Sequence, residues 1–251
     1  MSVVTSSERD GVALWTIQHP PVNAISFEVL ETLEHLLDAA EASKSVRAVV
    51  ITGKGPTFAA GADIQGFMKL GGSLPDFMKK GAQLYQRIET SSLPVIAAVN
   101  GVAYGGGNEL AMAADIRLAS VNARFGQPEV NLGIIPGWGG TVRLPKLVGW
   151  SHARRLILTG DPIDAKEAYR IGLVDQVVDA RLLVDAALNV ADRLASLPPL
   201  ALQEIKALLA DGSAGGQERE TVAIQRLMMT QDAMEGVQAF MQKRRPQFQG
   251  R

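Results

Sequence analysis

The amino-acid sequence predicts an α/β fold, in which buried strands alternate along the chain with helices that cover them. Short β-branched or apolar runs recur and stop at glycine or Asn-Gly, as residues 46–52 (VRAVVIT) and 94–99 (PVIAAV) do. Segments with apolar residues at helical spacing separate these runs, such as residues 26–42. Strands buried on both faces are continuously apolar, whereas a β-sandwich would alternate. The pattern therefore favours a sheet layered between helices.

The first half of the chain supplies strands and helices in turn. A strand is expected directly after the turn signal Arg9-Asp10-Gly11, and a helix after the loop signal Gly71-Gly72-Ser73-Leu74-Pro75. In order, we predict a strand over residues 12–18, a helix over 26–42, a strand over 46–52, a helix over 76–90 and a strand over 94–99.

The middle of the chain carries shorter elements. We predict a helix over residues 109–114, followed by short strands over 116–119 and 123–125. Helices dominate from residue 151 onward. One of them is expected to begin at Asp164, whose carboxylate is a plausible N-terminal cap, and to end at Gly172.

The C-terminal part of the sequence is predicted to be helical throughout. Helices are expected over residues 182–197, 200–210 and 218–242, with breaks at Pro198-Pro199 and at Asp211-Gly212-Ser213. We therefore divide the chain into an α/β core over residues 1–190 and a helical region over residues 191–251.

Composition places the chain among globular proteins with a sizeable core. It has 251 residues, of which 47% are hydrophobic and 20% charged, and its formal net charge is -1. This balance provides no overall positive field that would hold nucleic acid or an anionic membrane.

Cysteine and targeting signals are missing from the sequence. With 0 cysteines, disulfides, thiolate metal sites and cysteine nucleophiles are all excluded. The N-terminal stretch MSVVTSSERDG has no apolar signal core, and no apolar run approaches the ~20 residues that a bilayer span needs. We therefore expect a soluble protein of the cytoplasm.

The sequence lacks the motifs of several common types of enzyme reaction. The sequence contains no phosphate-binding G-x-x-x-x-G-K-[ST], no G-x-G-x-x-G at a helix start, no H-E-x-x-H and no G-x-S-x-G. The three histidines, His19, His35 and His152, lie far apart without ligand-like spacing. Phosphoryl transfer, hydride transfer and zinc hydrolysis are disfavoured, and no metal site is predicted.

Two glycine-rich segments could bring a ligand close to the main chain. Residues 58–64 (FAAGADI) follow a predicted strand, and their small side chains leave room beside the backbone. Taken alone, this segment is better explained as an ordinary strand-to-helix connection capped by Asp63. Residues 99–110 place three glycines at a helix start, where unpaired N–H groups and the positive end of the helix dipole suit a developing oxyanion.

Two glutamates stand in or beside these glycine-rich stretches. Glu109, in the first turn of the helix, either complements the helix dipole or takes part in chemistry. Glu129 is the one ionisable group within residues 125–141, a mostly apolar segment. Burial and mutual repulsion would raise the pKa of one carboxyl of such a pair, as proton transfer near neutral pH requires. Whether the two side chains meet in space does not follow from the sequence.

Taken together, these segments resemble the crotonase (enoyl-CoA hydratase/isomerase) superfamily. The motifs FAAGADI, NGVAYGGGNELAMAADIRLAS, FGQPEVNLGIIPGWGGTVRL and LTGDPIDAKEAYRIGLVDQVV occur in order at family-like spacing. The resemblance covers residues 12–248. It implies the ClpP/crotonase-like spiral of β–β–α units, with a C-terminal helical region through which relatives form trimers and hexamers.

The resemblance also implies an activity and its residues. The N–H groups of Ala62 and Gly106 would form an oxyanion hole for the thioester carbonyl of an enoyl-CoA. Both family glutamate positions are filled, so Glu109 as carboxylate and Glu129 as acid would add water across the double bond. Gly137 matches a position whose N–H orients that water. This pattern is that of an enoyl-CoA hydratase, a carbon–oxygen lyase of the kind used in β-oxidation of fatty acids.

Coenzyme A contacts follow from the resemblance as well. Ala60, Ala62, Asp63 and Ile64 would line the path of adenine and pantetheine, and Lys243 could reach a CoA phosphate. A basic tail residue such as Lys243 could equally be a solvated helix end. No metal or bound cofactor is implied, because CoA arrives as part of the substrate.

Alternatives within and outside the family remain open from the sequence. A Δ3,Δ2-enoyl-CoA isomerase would use the same oxyanion hole but usually one carboxylate, and a hydrolase or carbon–carbon lyase would use the same enolate. An inactive RNA-binding or scaffold relative is disfavoured by the near-neutral charge. Pro20-Pro21 stand where many relatives carry a basic residue, and Trp138 stands where a smaller residue is frequent and could reshape the acyl pocket. Acyl chain length and pathway are not predicted.

Overall fold

A computed structural model describes residues 2–70, 73–211 and 216–251 of the chain. Within this part, ten strands run over Val4–Arg9 (β1), Val12–Ile17 (β2), Ala48–Gly53 (β3), Thr57–Ala59 (β4), Val95–Val99 (β5), Val102–Tyr104 (β6), Ile116–Ser120 (β7), Arg124–Gly126 (β8), Ile163–Asp164 (β9) and Gln176–Val178 (β10). Ten α-helices run over Phe27–Ala42 (α1), Ile64–Leu70 (α2), Leu74–Thr90 (α3), Gly106–Ala113 (α4), Gly140–Thr159 (α5), Ala165–Arg170 (α6), Leu183–Ala195 (α7), Pro199–Asp211 (α8), Gly216–Met228 (α9) and Gln231–Gln242 (α10). A 3-10 helix covers Pro128–Leu132.

A six-stranded sheet forms the larger layer, with strand order β1-β2-β3-β5-β7-β10. Its strands pair in parallel, except that β1 and β2 form an antiparallel hairpin. Every residue of β3 and β5 is buried, as expected of strands covered on both faces. Helix α7 packs on one face and contributes to a small apolar cluster there, while the main core lies on the other face. The predicted α/β layering is thereby confirmed.

A second sheet of four strands, ordered β4-β6-β8-β9, runs beside the first. Three times in succession, a strand of the large sheet is followed by a strand of the small sheet: β3 by β4, β5 by β6 and β7 by β8. A helix then follows β4 and β6, and the 3-10 helix follows β8. This succession is the β–β–α repeat that the resemblance implies.

Strands β4, β6 and β8 are neighbours and parallel, which decides where the glycine-rich segments lie. Tyr104 at the end of β6 pairs with Gly126 at the end of β8. Because carboxyl ends of parallel strands meet at one edge of a sheet, the segments that follow these three strands are brought together.

Local capping explains the helix boundaries. Ser26 accepts a hydrogen bond from the N–H of Val29 and begins α1, and Asp164 accepts one from Glu167 and begins α6 as predicted. Gly172, with φ of 84°, follows α6 in the left-handed conformation.

Three helix predictions are corrected by the structure. The single helix expected over residues 218–242 is two helices, because Thr230 caps α10 by accepting a hydrogen bond from the N–H of Ala233. The helix expected over residues 109–114 begins three residues earlier, at Gly106, and Glu109 lies in its first turn as predicted. Helical structure also resumes at Gly140, before the expected residue 151.

Several strands were not predicted. Strand β1 exposes all but its first residue, and β4, β6, β9 and β10 are only two or three residues long. Gly71 and Gly72 of one predicted loop, and Gly212 and Ser213 of another, lie outside the described residues. The division of the chain at residue 190 stays a prediction.

Helix α8 is joined to the sheet by a buried lysine. The ammonium of Lys206 donates to the carbonyl of Leu93 at 2.7 Å and to the carboxylate of Asp115 at 2.6 Å. Among the described residues, no helix is both long enough and apolar enough to cross a bilayer.

Candidate active site

A small cavity lies at the carboxyl ends of β4, β6 and β8. Its volume is about 120 Å³. Its lining includes five residues that the sequence proposed for one site, namely Ala62, Gly106, Glu109, Glu129 and Gly137. Ala62 follows β4, Gly106 follows β6 and Glu129 follows β8, so the parallel pairing of these strands builds the site.

Ala62 and Gly106 place their backbone amides close together. A Cβ atom built on Gly106 would lie 3.6 Å from the nitrogen of Ala62, and one built on Gly61 would lie 4.0 Å from the nitrogen of Gly106. The amides next in the chain are used elsewhere, because Asp63 donates to the carbonyl of Ile25 and Gly105 to that of Gly126. Gly106 is the first residue of α4, so its N–H has no partner within the helix. Two main-chain donors can therefore converge on one ligand oxygen.

The backbone at the start of α5 holds the carboxyl of Glu109 by hydrogen bonds. Its side chain is 2% exposed, and its Oε1 accepts hydrogen bonds from the N–H of Trp138 at 2.8 Å and of Gly140 at 2.7 Å. Burial raises the pKa of this carboxyl from 4.5 to about 7, with a smaller upward contribution from the charge of Glu129. The two N–H donors and the charge of Arg143 act in the opposite direction. The carboxyl can thus exchange a proton near neutral pH.

Glu129 reaches the same cavity from the 3-10 helix. Its Oε1 accepts a hydrogen bond from Nε2 of Gln127 at 3.3 Å, and Gln127 is in turn held by Nδ2 of Asn108 at 2.8 Å. Burial raises the pKa of Glu129 too. Its Oε2 is a buried oxygen without a hydrogen-bond partner among the described residues. Such an atom is costly to leave unpaired, so this oxygen is suited to meeting a substrate or water.

Glycines let the backbone approach both carboxyls. Gly105 has a φ of 50°, and a Cβ atom there would lie 3.1 Å from Oε1 of Glu129. A Cβ atom at Gly140 would lie 3.2 Å from Oε1 of Glu109 and 2.5 Å from Nε2 of Gln127. The Gln127 amide therefore lies near both carboxyl groups.

Several residues that shape the site were not singled out from the sequence. Gln127 and Asn108 orient Glu129, and the hydroxyl of Tyr85 donates to the carbonyl of Gly106 at 3.0 Å. Arg143, 6% exposed, donates to the carbonyl of Trp138 at 2.7 Å and pairs with Glu89 at 2.9 Å. Gln127, Asn108 and Arg143 all belong to the motifs quoted above, but only the fold shows which atoms they contact.

The residues expected to contact CoA divide into two groups. Ala60, Ala62 and Ile64 line the cavity. Asp63 instead accepts a hydrogen bond from the N–H of Gly66 in α2, which matches its alternative interpretation as a helix cap. Lys243 ends α10 with a φ of 53° and is exposed, outside the cavity lining of this single chain.

In the described part of the chain, no cluster of three or more histidine, aspartate or glutamate side chains could hold a metal ion. The ionisable groups that line the cavity are two carboxyls, which can exchange protons.

Comparisons with known proteins relate the whole chain to one family. A family model described as enoyl-CoA hydratase/isomerase matches residues 7–251. A protein of Bacillus subtilis named probable enoyl-CoA hydratase is 41% identical over the full length of both chains. The crotonyl-CoA hydratase of Syntrophomonas wolfei is 40% identical over 98% of this chain and 97% of its own. The crystal structure of an enoyl-CoA hydratase from Bacillus anthracis superimposes with a TM-score of 0.96 at 35% identity, covering 99% of this chain and 100% of that one.

Proposed function

The chain belongs to the enoyl-CoA hydratase/isomerase (crotonase) family, and we propose that it adds water reversibly to trans-2-enoyl-CoA thioesters to give 3-hydroxyacyl-CoA. One observation carries the proposal: two buried carboxyls line a single cavity beside two converging backbone amides. One carboxyl would be sufficient to move a proton along an acyl chain. Hydration needs one proton taken from water and one delivered to carbon, which two carboxyls can manage.

The backbone amides stabilise the charge that develops during addition. The thioester carbonyl lies between the N–H groups of Ala62 and Gly106, and its oxygen becomes negative as water bonds to Cβ. Removing one such donor typically costs about 3 kcal/mol of transition-state stabilisation. Because both donors are main-chain groups, no side-chain substitution removes them directly.

The two glutamates carry out the two proton transfers of the reaction. Glu109 takes one proton from the attacking water, whose oxygen bonds to Cβ, while the N–H of Gly137 orients that water. Glu129 gives its proton to Cα, and the electron pair of the enolate forms the new C–H bond. Both carboxyls reach the same cavity, so the two additions occur on one face of the double bond. The carboxyls titrate as a coupled pair, so the roles belong to the pair.

Loss of either carboxyl should abolish most of the hydration. Glu129→Gln and Glu109→Gln are each expected to lower kcat for crotonyl-CoA by about 10²–10⁴-fold, because each removes a proton donor or acceptor. The double variant should be little slower than the slower single variant, since the pair acts as a unit. Loss of the enoyl-thioester absorbance measures the rate.

A matched control is Glu167→Gln, which changes a partly exposed glutamate that lies outside the cavity lining and pairs with Arg170 in α6. It should keep the wild-type rate. A Glu129→Gln protein with full hydration activity would refute the two-carboxylate mechanism. No absorbance loss with any chain length, together with tight salt-dependent RNA binding, would instead favour the RNA-binding alternative.

Isomerisation is the nearest competing activity within the family. A 3-enoyl-CoA substrate tests it directly, because an isomerase would form the conjugated thioester and absorbance would rise. We expect hydration to exceed isomerisation, since both glutamate positions are occupied. A hydrolase would release free CoA, which a thiol reagent detects.

The remaining properties form part of the same proposal. CoA binds along Ala60, Ala62 and Ile64, and the protein needs no metal or separate cofactor. The working assembly is a trimer or a hexamer in the cytoplasm, in which the basic residue Lys243 approaches a CoA phosphate across a subunit boundary.

A further inference from the structure

Trp138 forms a tightly packed wall of the catalytic cavity. Its side chain is 2% exposed and lies between α3 and α4. A Cβ atom at Gly81 in α3 would lie 2.4 Å from Cε2 of the indole, and one at Gly106 in α4 would lie 2.4 Å from Cζ3. The ring therefore fills a slot that only glycine leaves open on both helices.

Aromatic neighbours fix the orientation of this ring. Phe77 and Tyr85, both in α3, meet Trp138 edge to face with ring centroids 5.3 Å and 5.4 Å away. Each such pair adds about 0.5–1.5 kcal/mol beyond the area that it buries. Met78 also lines the cavity, but its unbranched side chain can change rotamer and yield to a ligand. Of these two side chains, Trp138 is the one that is held by close packing.

The enclosed space matches a short acyl group. A cavity of about 150 Å³ takes up benzene, which has six carbons, and a water molecule occupies about 30 Å³ of liquid. The cavity of about 120 Å³ must hold the reacting water and the thioester beside the acyl chain. The space that remains suits a short acyl group.

A second and larger cavity adjoins Trp138. Its volume is about 310 Å³, and its lining includes Ala82, Gln86 and Val142. Trp138 lines both cavities. A longer acyl chain would have to pass this residue to use the second space.

We propose that Trp138 closes the acyl end of the cavity and makes the protein selective for short-chain enoyl-CoA thioesters. This inference rests on the proposed function for its substrate class. It assigns a specificity-determining role to a side chain whose backbone N–H already holds Glu109.

The test compares chain-length profiles of wild-type and Trp138→Ala proteins. We expect wild-type kcat/KM to fall tenfold or more from the C4 to the C8 enoyl-CoA. In Trp138→Ala the C8-to-C4 ratio should rise at least tenfold, because the two cavities become continuous. Trp138→Leu, which leaves a smaller void, should shift the ratio in the same direction and serves if the alanine variant does not fold.

A second-site replacement shows whether volume is responsible. A side chain at position 81 would enter the space that the indole occupies, so Trp138→Ala/Gly81→Leu should restore the preference for C4. Trp150→Ala removes an exposed tryptophan that lines neither cavity, and it should leave the C8-to-C4 ratio within about threefold of wild type. Equal use of C4 and C8 by the wild type, or an unchanged ratio in both folded Trp138 variants, would overturn the inference.

Binding of saturated thioesters separates this inference from the proposed hydration. Butyryl-CoA and octanoyl-CoA cannot be hydrated, and calorimetry gives their dissociation constants directly. Tighter binding of butyryl-CoA that Trp138→Ala reverses would support the role of Trp138 even in a protein that hydrates no enoyl-CoA. The same dissociation constants for both ligands in both proteins would overturn it.

Discussion

The Oε1 atom of Glu109 accepts two backbone N–H groups, yet the pKa of this carboxyl still rises to about 7. Hydrogen bonds to a carboxylate lower its pKa, and removal from water raises it. Removal from water prevails here because the side chain is 2% exposed and Glu129 adds a second negative charge. The hydrogen bonds therefore hold the carboxyl of Glu109 in position, while its charge can still change near neutral pH.

The raised pKa of Glu109 predicts how activity depends on pH. Glu109 acts as a carboxylate, so kcat/KM for crotonyl-CoA should fall about tenfold per unit as the pH drops below about 7. Protonation of Glu129 is needed as well, so activity should also decline at high pH and give a bell-shaped profile. Initial rates from pH 5.5 to 9.5 measure it, and a flat profile below pH 7 would contradict the assignment of Glu109.

The raised pKa also predicts how stability depends on pH. The folded chain binds the proton of Glu109 more tightly than the unfolded chain does, so this residue lowers stability as the pH rises from 4.5 to about 7. Glu109→Gln should then raise the free energy of unfolding at pH 8, with an upper bound of about 3 kcal/mol. The gain should largely vanish at pH 4.5. Urea unfolding at equal protein concentration checks it, and an equal gain at both pH values would exclude this cause.

Arg143 acts on the same carboxyl through the loop that holds it. Its guanidinium binds the carbonyl of Trp138, whose N–H donates to Glu109, and its charge lowers the pKa of Glu109. Arg143→Gln should lower kcat about tenfold, change KM little and move the acid limb of the pH profile to higher pH. Arg155→Gln, which removes an exposed pair with Glu167, is the control and should leave the profile unchanged. A loss of stability without any shift of the profile would leave Arg143 a purely structural role.

Among the elements, helix α3 is the support of the active-site aromatic cluster. Alanine at Gly81 would gain up to about 1 kcal/mol of helix propensity, but its Cβ would lie 2.4 Å from the Trp138 ring, and overpacking costs about 1–3 kcal/mol. We expect Gly81→Ala to lower the midpoint of thermal unfolding and the rate of hydration together. Gly236→Ala in α10 meets only the Phe248 ring, at 3.5 Å, and should raise the midpoint slightly. Shifts in the same direction for both variants would contradict this contrast.

Most of the helices and buried strands could be predicted from sequence, because their apolar spacing is regular. Strand β1 escaped prediction because its residues after Val4 are exposed and polar. A signal for it was nevertheless present. Asp10 and Gly11 both have positive φ, at 52° and 83°, and Asp-Gly is a strong mark of a two-residue hairpin that requires a strand on each side.

The meeting of the two glutamates could not be derived from residue patterns alone. Glu109 and Glu129 are adjacent because β6 and β8 pair in parallel, and those strands are only three residues long. Strand β6 was not predicted, because three residues carry too little periodicity, and the short strand predicted over residues 123–125 did not show which strand β8 pairs with. Only the family resemblance placed the two carboxyls in one site in advance.

At the scale of the whole molecule, the C-terminal helices leave many apolar side chains uncovered in a single chain. Leu209, Met229, Phe240 and Met241 are between 77% and 86% exposed. Apolar surface concentrated in this way marks an interaction site. It supports the proposal that this region joins copies of the chain.

Light scattering should therefore give a mass three or six times the 26.8 kDa of one chain. Phe240→Asp should lower that mass, because a carboxylate would be buried at the contact. Ser7→Asp on the exposed strand β1 is the control and should leave the mass unchanged. A mass of one chain for the unmodified protein would contradict the predicted assembly.

The rigid indole in the cavity wall also gives the protein an optical signal of its own. The chain contains three tryptophans: Trp15 is buried in the core, Trp150 is 66% exposed, and Trp138 borders the cavity. Indole emission responds to the polarity of its surroundings, so entry of an acyl chain beside Trp138 should change its wavelength or intensity. Replacing Trp150 with phenylalanine removes the solvent-facing emitter. The arrival and departure of a CoA thioester could then be followed by fluorescence, without a label and without turnover.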